Sequence, residues 1–463
     1  MQYDLDAFKA AIAGIEHTDD PLAIRRKSRD RYGVSPLLRQ MLDGKVADIV
    51  VTPRTRDEVV AVARAAVRHR IPVTPRGGGT ANYGQSVPLK GGIVLDMTEY
   101  AGVVALGGGI VRARAGTIVA DIDTAARATG WELRIHPTTK RWATIGGFVM
   151  GGSGGPGSVV HGYLHERGNI AAAEIVTMED APRVLELEGR DAQLVHHTYG
   201  ATGIVTEVAM PLEPAWRWRE AIVAFPAYMD AVRFGVGLGN ASGITKKLVS
   251  IQDWPTPSLI AEYARVVPEG HAVVSTLIAE RSWTEFAQFV AASGGAVVSD
   301  HVEGSGPYGP SLTEFAFGHA LWHVQKTDPR RAMIEGFLRA PDLTELIERV
   351  WRAVGGYGPM RMELVRAGGE LCGTGSPYFV YESPEQMAAL VRAMQAAGAH
   401  VSNSHTSNVR AVGKKEITSR DSAFKRAVDP YGLLNPGRFE ADPDADATFA
   451  LTLPTDAWHR RIA

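Results

Sequence analysis

The sequence Arg76-Gly77-Gly78-Gly79-Thr80-Ala81-Asn82, which follows the apolar run Ile71-Pro72-Val73-Thr74-Pro75, is the most informative stretch of the chain. Glycine adopts positive φ at no steric cost and has no Cβ to block close approach. Successive backbone N–H groups in such a turn can form a concave anion site, to which Arg76, Thr80 and Asn82 would add a charge and short polar groups. The stretch predicts a pyrophosphate cradle, with an ordinary glycine-rich turn as the alternative.

The residues that follow this loop do not have the pattern of a helix. Tyr83, Gly84, Pro88 and Gly91-Gly92 lead into the β-rich run Ile93–Asp96, whereas the glycine loop of a Rossmann fingerprint opens a helix directly. The order strand, glycine loop, strand therefore argues against a nicotinamide-type Rossmann site. It predicts that loop amides, rather than a helix dipole, hold the phosphate.

Length and composition are those of a globular enzyme with two or three domains: 463 residues, 45% hydrophobic and 22% charged, with a net charge of −2. This charge gives no electrostatic footprint for nucleic acid. The single cysteine, Cys372, excludes an internal disulfide and fits a reducing compartment. The N-terminus lacks the features of a signal peptide, and no apolar run reaches membrane-spanning length. We therefore expect a cytoplasmic protein with no nucleic-acid partner and no membrane span.

The first half of the chain combines βαβ patterning with further glycine-rich sequence. Ala47–Thr52 and Ile71–Thr74 are predicted strands on either side of a helix that Thr55 caps. The segments His136–Gly147 and Gly151–Ser158 hold too many glycines to form a regular buried element cheaply. The apolar residues embedded in this region argue against a linker. We therefore expect it to wrap tightly around a flat molecule.

A different rhythm begins near Trp216. Predicted strands and helices follow in the order βαββαβ between Ala221 and Ser299, which is the split-βαβ pattern of a ferredoxin-like sheet. The sequence thus predicts an α+β protein. Its predicted parts are an N-terminal helical segment (1–45), a first domain (46–214), a second domain (215–400) and a C-terminal segment (401–463).

Four motifs, in order along the chain, together resemble a known enzyme family. They are Pro75–Thr80, Thr144-Ile145-Gly146-Gly147, Gly200–Thr206 and the tail Asp429-Pro430-Tyr431-Gly432-Leu433-Leu434-Asn435-Pro436-Gly437-Arg438. The chain resembles the FAD-linked oxidases of the vanillyl-alcohol oxidase/p-cresol methylhydroxylase (PCMH) type. Within that superfamily it is most similar to the branch that contains the glycolate oxidase D-subunit and D-lactate dehydrogenase.

This resemblance implies a two-part PCMH-type FAD-binding domain, a ferredoxin-like substrate domain over the isoalloxazine, and a tail that returns to the FAD domain. It makes the triple-glycine loop the pyrophosphate cradle and places the later glycine segments along the flavin and adenine ends. The implied cofactor-binding residues are Pro75, Arg76, Gly77, Gly78, Gly79, Thr80, Asn82, Pro137, Thr138, Thr144, Ile145, Gly146, Gly147, Gly151, Gly152, Gly155, Gly157, Ser158, Gly203, Ile204, Val205 and Asn435.

The chain departs from the family pattern at positions that bear on the chemistry. Metal-dependent D-2-hydroxy-acid dehydrogenases carry His-x-Gly-Asp-Gly-Asn-x-His in the substrate domain, where Phe317–Lys326 here lacks the acidic residue. The usual tail sequence Glu-His-Gly-x-Gly is replaced by Ser404–Asn408. Relatives with covalent FAD have a loop histidine where this chain has Thr80, and the single cysteine, Cys372, is far from the second common anchor. We therefore predict non-covalent FAD.

Histidine is the usual group to take a hydroxyl proton near neutral pH. His405 is the first candidate base, because it matches the tail histidine of the family and lies where the two lobes should meet. His319 and His323, four residues apart, are the next candidates; a metal site at this pair is a minor alternative, and no metal is predicted. Arg361, predicted on a strand, could clamp a carboxylate, with an ordinary surface charge as the alternative.

The expected function is an FAD-dependent oxidoreductase that oxidises a hydroxyl-bearing carbon, of a hydroxy acid or a related alcohol, by hydride transfer to the flavin. The alternatives are a non-redox flavin enzyme of the alkyl-glycerone-phosphate synthase type and a non-catalytic flavin-binding subunit. The expected partners are a small hydroxylated substrate and an electron acceptor that is left open among oxygen, quinone, cytochrome and flavoprotein. The oligomeric state is also left open, with a homodimer as one option.

Overall fold

The computed structural model describes residues 3–309 and 311–440, which form three β-sheets with helices packed on them. The mixed α and β content agrees with the predicted fold class. Within these two ranges, no helix combines the length and the apolar character that crossing a membrane would require.

The first sheet has four strands in the order β1-β2-β4-β3, of which β2, β4 and β3 are parallel. The buried face of α4 packs on it, and Thr55 caps α4 by accepting a hydrogen bond from Glu58 N (3.2 Å). The edge strand β3 ends at Arg76, so the glycine loop starts at the carboxyl end of a parallel sheet. The elements are β1 (His17–Thr18), β2 (Ile49–Val51), β3 (Val73–Arg76), β4 (Ile93–Asp96), α1 (Leu5–Ala11), α2 (Pro21–Lys27), α3 (Pro36–Leu42) and α4 (Arg56–Arg68).

The second sheet is antiparallel, with the order β5-β6-β10-β8-β9 and β7 paired to one end of β10. Its buried face and the helices α5 and α6 share one apolar core. The elements are β5 (Val103–Gly107), β6 (Ile110–Arg114), β7 (Trp131–Leu133), β8 (Ala172–Val176), β9 (Val184–Glu188), β10 (Ile204–Pro214), α5 (Val119–Arg127), α6 (Ile145–Gly151) and α7 (Ser158–His161).

The helix α6 corrects the expectation that this glycine-rich segment would be irregular. Thr144 caps it by accepting from Gly147 N (3.2 Å), and Gly152 N closes its last turn on Phe148 O (2.8 Å). Each interior glycine costs roughly 0.5–1 kcal/mol relative to alanine. Four apolar side chains between and beside the glycines are buried, at about 1.5–3 kcal/mol each, so burial outweighs that cost.

The third sheet has nine strands, with β14-β11-β13-β12-β17-β18-β16-β19 as the main order and β15 paired to β18. The elements predicted between Ala221 and Ser299 are present as β11, α8, β12, β13, α10 and β14. The sequence analysis did not predict that β16, α12, β17, β18, α13 and β19 repeat this βαββαβ order. The elements are β11 (Trp218–Phe225), β12 (Lys246–Gln252), β13 (Ala272–Ala279), β14 (Ala296–Val302), β15 (Arg331–Met333), β16 (Glu335–Leu338), β17 (Met360–Ala367), β18 (Glu370–Val380), β19 (His400–Ser402), α8 (Tyr228–Asn240), α9 (Thr256–Leu259), α10 (Trp283–Ala292), α11 (Ala320–Thr327), α12 (Leu343–Val354) and α13 (Pro384–Ala396).

The two halves of this sheet meet at β12 and β17, which pair antiparallel over only three residue pairs. If the strands of each half are numbered by sequence, the first half has the order 4-1-3-2 and the second half has the order 2-3-1-4. The second half is therefore the reverse of the first, and the second strands of the two halves form the junction.

The C-terminal segment contains α14 (Val409–Val412) and α15 (Ser419–Val428) and then contacts the first sheet. Val73 N donates to Leu433 O (2.8 Å), and Asn435 N donates to Val73 O (2.7 Å), so residues 433–435 lie along β3. Phe424 and Val428 of α15 pack into the core of the second sheet. Residues 441–463 of the predicted C-terminal segment lie outside the described residues.

Candidate functional site

A cavity lies where the three sheets and the C-terminal segment come together. Its wall includes the glycine loop after β3, the start of α6, residues 317–319, Glu335 of β16 and Lys414. Sixteen of the predicted site residues line it: Pro75, Arg76, Gly77, Gly78, Gly79, Thr80, Asn82, Pro137, Thr138, Thr144, Gly146, Gly147, Gly151, Gly152, Val205 and His319.

The other predicted cofactor residues do not line the cavity: Ile145, Gly155, Gly157, Ser158, Gly203, Ile204 and Asn435. A Cβ at Gly155 or Gly157 would overlap the backbone carbonyl of His136 or Arg134, so these two glycines allow close packing of the backbone behind the wall. Asn435 Nδ2 donates to Gln85 O (2.9 Å) and Tyr199 O (2.5 Å), which joins two loops of the cavity. A direct role of these residues in cofactor binding stays a prediction.

The glycine loop presents a run of free donors. The backbone N–H groups of Gly77, Gly78, Gly79 and Thr80 donate to no acceptor in the described part of the chain. Arg76 is tied to the loop by a hydrogen bond to Gly77 O (2.8 Å), while its buried Nε has no partner among the described residues. A Cβ at Gly78 would overlap the carbonyl oxygen of Trp142, so the loop packs directly on the segment that precedes α6.

These features fit a dinucleotide cofactor. Consecutive N–H groups that have no acceptor among the described residues are a binding arrangement for phosphate oxygens. The glycines at the start of α6 expose backbone rather than side chains, which leaves room for a flat ring system. The residues present would therefore accept a pyrophosphate at residues 77–80 and a ring beside α6.

A charged cluster that the sequence analysis missed faces the same cavity. Lys414 Nζ lies 2.5 Å from Glu335 Oε2 and donates to Tyr83 Oη (3.0 Å), and Thr374 Oγ1 donates to Glu335 Oε1 (3.1 Å). Burial alone would raise the pKa of Glu335, but the positive charges of Lys414 and Arg361 lower it to about 2. Burial would lower the pKa of Lys414, but Glu335 holds it above its usual value. Glu335 and Lys414 therefore form an ion pair at neutral pH.

This cluster has no local sequence signature. Tyr83 follows the glycine loop, Glu335 begins β16, and Lys414 follows the left-handed Gly413 that ends α14. Because these residues are 79 to 331 positions apart, only the packing of the sheets and the C-terminal segment brings them together. The one feature of the sequence that could have pointed to this cluster is the position of Tyr83 directly after the glycine loop.

Two histidines line the cavity: the half-buried His319, which was a predicted candidate, and the buried His197, which was not. His319 Nδ1 forms a hydrogen bond with Thr138 Oγ1, and burial lowers its pKa to about 4 against the opposing effect of the Thr80 backbone. His197 Nδ1 lies 3.0 Å from Gly152 O, its Nε2 lies 3.3 Å from Tyr199 Oη, and burial lowers its pKa to about 3. Both imidazoles are neutral at pH 7.

The other two predicted histidines lie outside the cavity. His405 Nδ1 is 2.7 Å from Ser35 Oγ and its Nε2 is 3.1 Å from Met333 O, and the ring contributes to a separate groove between α13 and β19. The ring of His323 packs on Phe315, with 4.3 Å between ring centroids. The position of His405 therefore does not support its predicted role as the base. Within the described residues, no group of three or more His, Cys, Asp or Glu side chains is placed to hold a metal ion.

Arg361 of β17 is fully buried, so it is not a surface charge. Its Nη1 donates to Glu363, whose carboxylate also accepts from Ser250 Oγ (3.0 Å) and from the backbone N of Phe317 (2.7 Å). Its Nε and Nη2 have no partner among the described residues. Arg361 itself does not line the cavity, but Glu363, its ion-pair partner, also accepts from Phe317, which does.

A family model for the FAD binding domain matches residues 47–182 of the chain. Glycolate oxidase subunit GlcD of Bacillus subtilis is 27% identical over 264 residues, which are 55% of this chain and 54% of the relative. D-lactate dehydrogenase of Archaeoglobus fulgidus is 29% identical over 197 residues, which are 40% and 43% of the two chains. The chain thus matches about half the length of these curated relatives.

The fold is also similar to that of solved structures. An alkyldihydroxyacetonephosphate synthase structure superposes with a TM-score of 0.69 over 94% of this chain and 85% of its own, at 14% identity, which shows the fold alone. The glycine-walled cavity lies largely in the part of the chain that the family model matches. The chain therefore carries a PCMH-type FAD-binding domain with FAD as its cofactor, and it is related to glycolate oxidase subunit GlcD and D-lactate dehydrogenase.

Proposed function

We propose that the protein is an FAD-dependent oxidoreductase that oxidises a hydroxyl-bearing carbon, with hydroxy acids as its substrate class. One observation carries this proposal: Phe317, His319 and Glu335 of the third-sheet region face the glycine-walled cavity built by the first two sheets. Bound FAD supplies the hydride acceptor. Residues 46–214 are then the FAD domain, and residues 215–400 are a substrate domain whose 4-1-3-2 strand order supports the ferredoxin-like assignment.

The glycine loop is proposed to bind the cofactor without a covalent bond. The four free N–H groups of residues 77–80 would donate to the pyrophosphate, and Arg76 would add its charge. Thr80 offers no nucleophile comparable to the histidine of covalent relatives. Cys372 is buried beside Val365 and does not line the cavity.

Arg361 supports a carboxylate on the substrate. Its unpartnered Nε and Nη2 form one edge of the guanidinium, which fits a carboxylate bidentately. Phe317 lines the cavity, its backbone N donates to Glu363 (2.7 Å), the ion-pair partner of Arg361, and its φ of 54° is unfavourable for a bulky residue. A shift of Phe317 would relieve this strain, and we propose that it gives the substrate access to Arg361. The names of the relatives, which include D-2-hydroxyglutarate dehydrogenase of Escherichia coli (34% identical over 121 residues, 25% of this chain and 12% of the relative), also favour hydroxy acids.

The test is a panel of substrates under anaerobic conditions, read by flavin absorbance. The panel contains glycolate, both lactate enantiomers, D-2-hydroxyglutarate and a neutral alcohol. Bleaching by a hydroxy acid with formation of the 2-oxo acid supports the proposal. Bleaching by dithionite but by no member of the panel contradicts it, and would favour a non-redox flavin enzyme or a non-catalytic flavin-binding subunit.

A further inference from the structure

Oxidation of a hydroxyl group releases a proton beside the substrate, and the histidines of the cavity are poorly placed to accept it. His319 has one ring nitrogen engaged by Thr138 and a second interaction with the Thr80 backbone. His197 has one nitrogen at Gly152 O and the other at Tyr199 Oη. Each neutral ring has a single acceptor nitrogen, and in both histidines ring nitrogens are already in contact with protein groups. The proton acceptor is therefore to be sought among the other groups of the cavity wall.

Glu335 has the required acceptor capacity. Its side chain is 14% exposed, and that exposure is toward the cavity. Three donors reach the carboxylate: Thr374 at Oε1, and Lys414 and Tyr83 at Oε2. An ionised carboxylate has about four lone-pair positions, so one position at Oε1 is left for a further donor.

We propose that Glu335 is the catalytic proton acceptor for the substrate hydroxyl, and that Lys414 and Tyr83 hold its carboxylate in place. This inference rests on the proposed function. The substrate O–H bond breaks and its proton bonds to Glu335 Oε1, while the electron pair of the C–H bond leaves with the hydride to the acceptor that bound FAD supplies. The C=O double bond of the product forms, so atoms and electrons balance.

The electrostatics of the cluster agree with this role. Lys414 keeps Glu335 ionised at neutral pH, so the acceptor is always in its reactive form. A carboxylate of low pKa is a weak base, but the hydroxyl proton becomes strongly acidic as the hydride leaves and the oxygen takes on carbonyl character. A weak base in hydrogen-bond reach is then sufficient. Lys414 and Tyr83 act as positioning residues, because each donates to the carboxylate and fixes its orientation.

The experiment uses the holoenzyme and two variants of Glu335. Glu335→Gln keeps the size of the side chain but removes the proton acceptor. Glu335→Asp keeps the negative charge that pairs with Lys414, but its side chain is one methylene shorter, so the carboxylate lies farther from the substrate. This variant therefore tests the position of the carboxylate, whereas Glu335→Gln tests its charge. The matched control is Lys415→Gln, because the neighbouring Lys415 has its head at Gln193 O (2.8 Å), His196 O (3.0 Å) and Asp421, outside the cavity.

The measurements are FAD content, the rate of flavin reduction by the panel member that reduces the wild type fastest, and the dissociation constant of its 2-oxo product from the flavin spectrum. We expect Glu335→Gln to slow reduction by about 10²–10⁴-fold. Glu335→Asp should slow it by at least about tenfold, with FAD content and product affinity near those of the wild type. Lys415→Gln should reduce its flavin at close to the wild-type rate.

Three results overturn the inference, and they can be told apart. If no panel member reduces the wild-type flavin, the proposed function fails and the role of Glu335 fails with it. If the wild type is reduced and a Glu335 variant that retains FAD keeps the wild-type rate, the proposed function stands and only the assignment of Glu335 is wrong. A merely structural role would instead lower FAD content and product affinity together with the rate.

Discussion

At Gly78 the glycine loop leaves no room for a side chain, and the obstacle is the protein itself. From the sequence alone, a Cβ in this loop is expected to strain a positive φ or to meet the pyrophosphate. In the structure, the positive φ (66°) belongs to Gly79, and a Cβ at Gly78 would overlap the Trp142 carbonyl oxygen. A displaced loop would misplace the four N–H groups of residues 77–80.

We therefore expect Gly78→Val to lose bound FAD and to unfold at lower urea concentration. FAD content after purification and urea denaturation measure both effects. The matched control is Gly243→Val, because nothing lies within 4 Å of a Cβ at that exposed position. Full flavin occupancy in Gly78→Val would contradict the cradle.

Acid precipitation should release all of the flavin into the supernatant, because neither Thr80 in the loop nor the buried Cys372 offers a site of covalent attachment. The measurement is flavin absorbance of the supernatant and the pellet. A yellow pellet that survives washing under denaturing conditions would show that the non-covalent assignment is wrong.

His405→Asn should leave flavin reduction within about threefold of the wild-type rate, since the ring lies outside the cavity. It should lower the free energy of unfolding by about 1–3 kcal/mol, because hydrogen bonds to Ser35 and Met333 O are lost or left half-made. Rapid mixing and urea denaturation separate the two effects. A drop in rate of a hundredfold or more, with FAD retained, would restore His405 as the base.

At the scale of the elements, β17 carries a buried ion pair, Arg361–Glu363, at the narrow β12–β17 junction, where Ser250 of β12 donates to Glu363. Removing one partner of a buried pair costs about 3–5 kcal/mol, whereas replacing both by apolar residues is often nearly neutral. We therefore expect Arg361→Met to destabilise the protein strongly and Arg361→Met/Glu363→Met to recover much of that stability. Even with its stability recovered, the double variant should bind the 2-hydroxy acid more weakly than the wild type, because the free edge of the Arg361 guanidinium is gone.

Urea denaturation of the wild type, both single variants and the double variant gives the coupling free energy of the pair. The KM of each variant that retains FAD gives the effect of the substitution on substrate binding. If the double variant has wild-type KM, Arg361 does not bind the carboxylate. If it is less stable than both single variants, the account of the junction is wrong.

The elements that the sequence predicted are those with local signals. The helix α4 has a capping threonine and an apolar face, and the first βαββαβ unit has regular alternation of strands and helices. The helix α6 was missed because its stability comes from burial of apolar side chains that propensity does not measure. Several elements of the second unit were predicted one by one, but their βαββαβ order was not recognised, because its first and last strands, β16 and β19, are only four and three residues long.

The same distinction, between residues with a local sequence signal and residues without one, applies to the candidate site. The glycine loop and Thr144–Gly147 are contiguous motifs, and the structure brings them together in one cavity. Glu335 and Lys414 carry no motif, because their pairing depends on how the third sheet and the C-terminal segment pack on the FAD domain. Long-range pairs of this kind cannot be read from a single sequence by local patterns.

At the scale of the whole molecule, buried neutral histidines should make stability depend on pH. Burial lowers the pKa of His319 and His405 to about 4 and of His197 to about 3, and it lowers the pKa of His196 well below its usual value. The unfolded chain binds protons at these groups near pH 6.5, so stability is full above that pH and is lost as pH falls toward 4. The raised pKa values of Asp30, about 6, and Glu220, about 7, act in the opposite direction.

Among the described residues, seven histidines have lowered pKa values, whereas Asp30 and Glu220 are the carboxylates with pKa values raised to about 6 and 7. We therefore expect the holoprotein to unfold at lower urea concentration at pH 5 than at pH 7. Each pKa unit corresponds to about 1.4 kcal/mol when the shift is fully expressed. The comparison variant is His405→Asn, which removes one of the titrating groups and should show a smaller difference between the two pH values. An equal difference in the variant would contradict the assignment of His405 as a contributor.

The reversed strand order of the third sheet has a consequence for how such a sheet can arise. A chain with one βαββαβ unit would leave the β12 edge open, and an open edge invites pairing with another chain. In a two-fold dimer of such units, the second strand of each copy would pair antiparallel with the second strand of the other copy. Here β12 and β17, the second strands of the two halves, pair in this way. The sheet thus has the organisation of a two-fold dimer within one polypeptide, and its second half carries Glu335, Arg361 and Glu363.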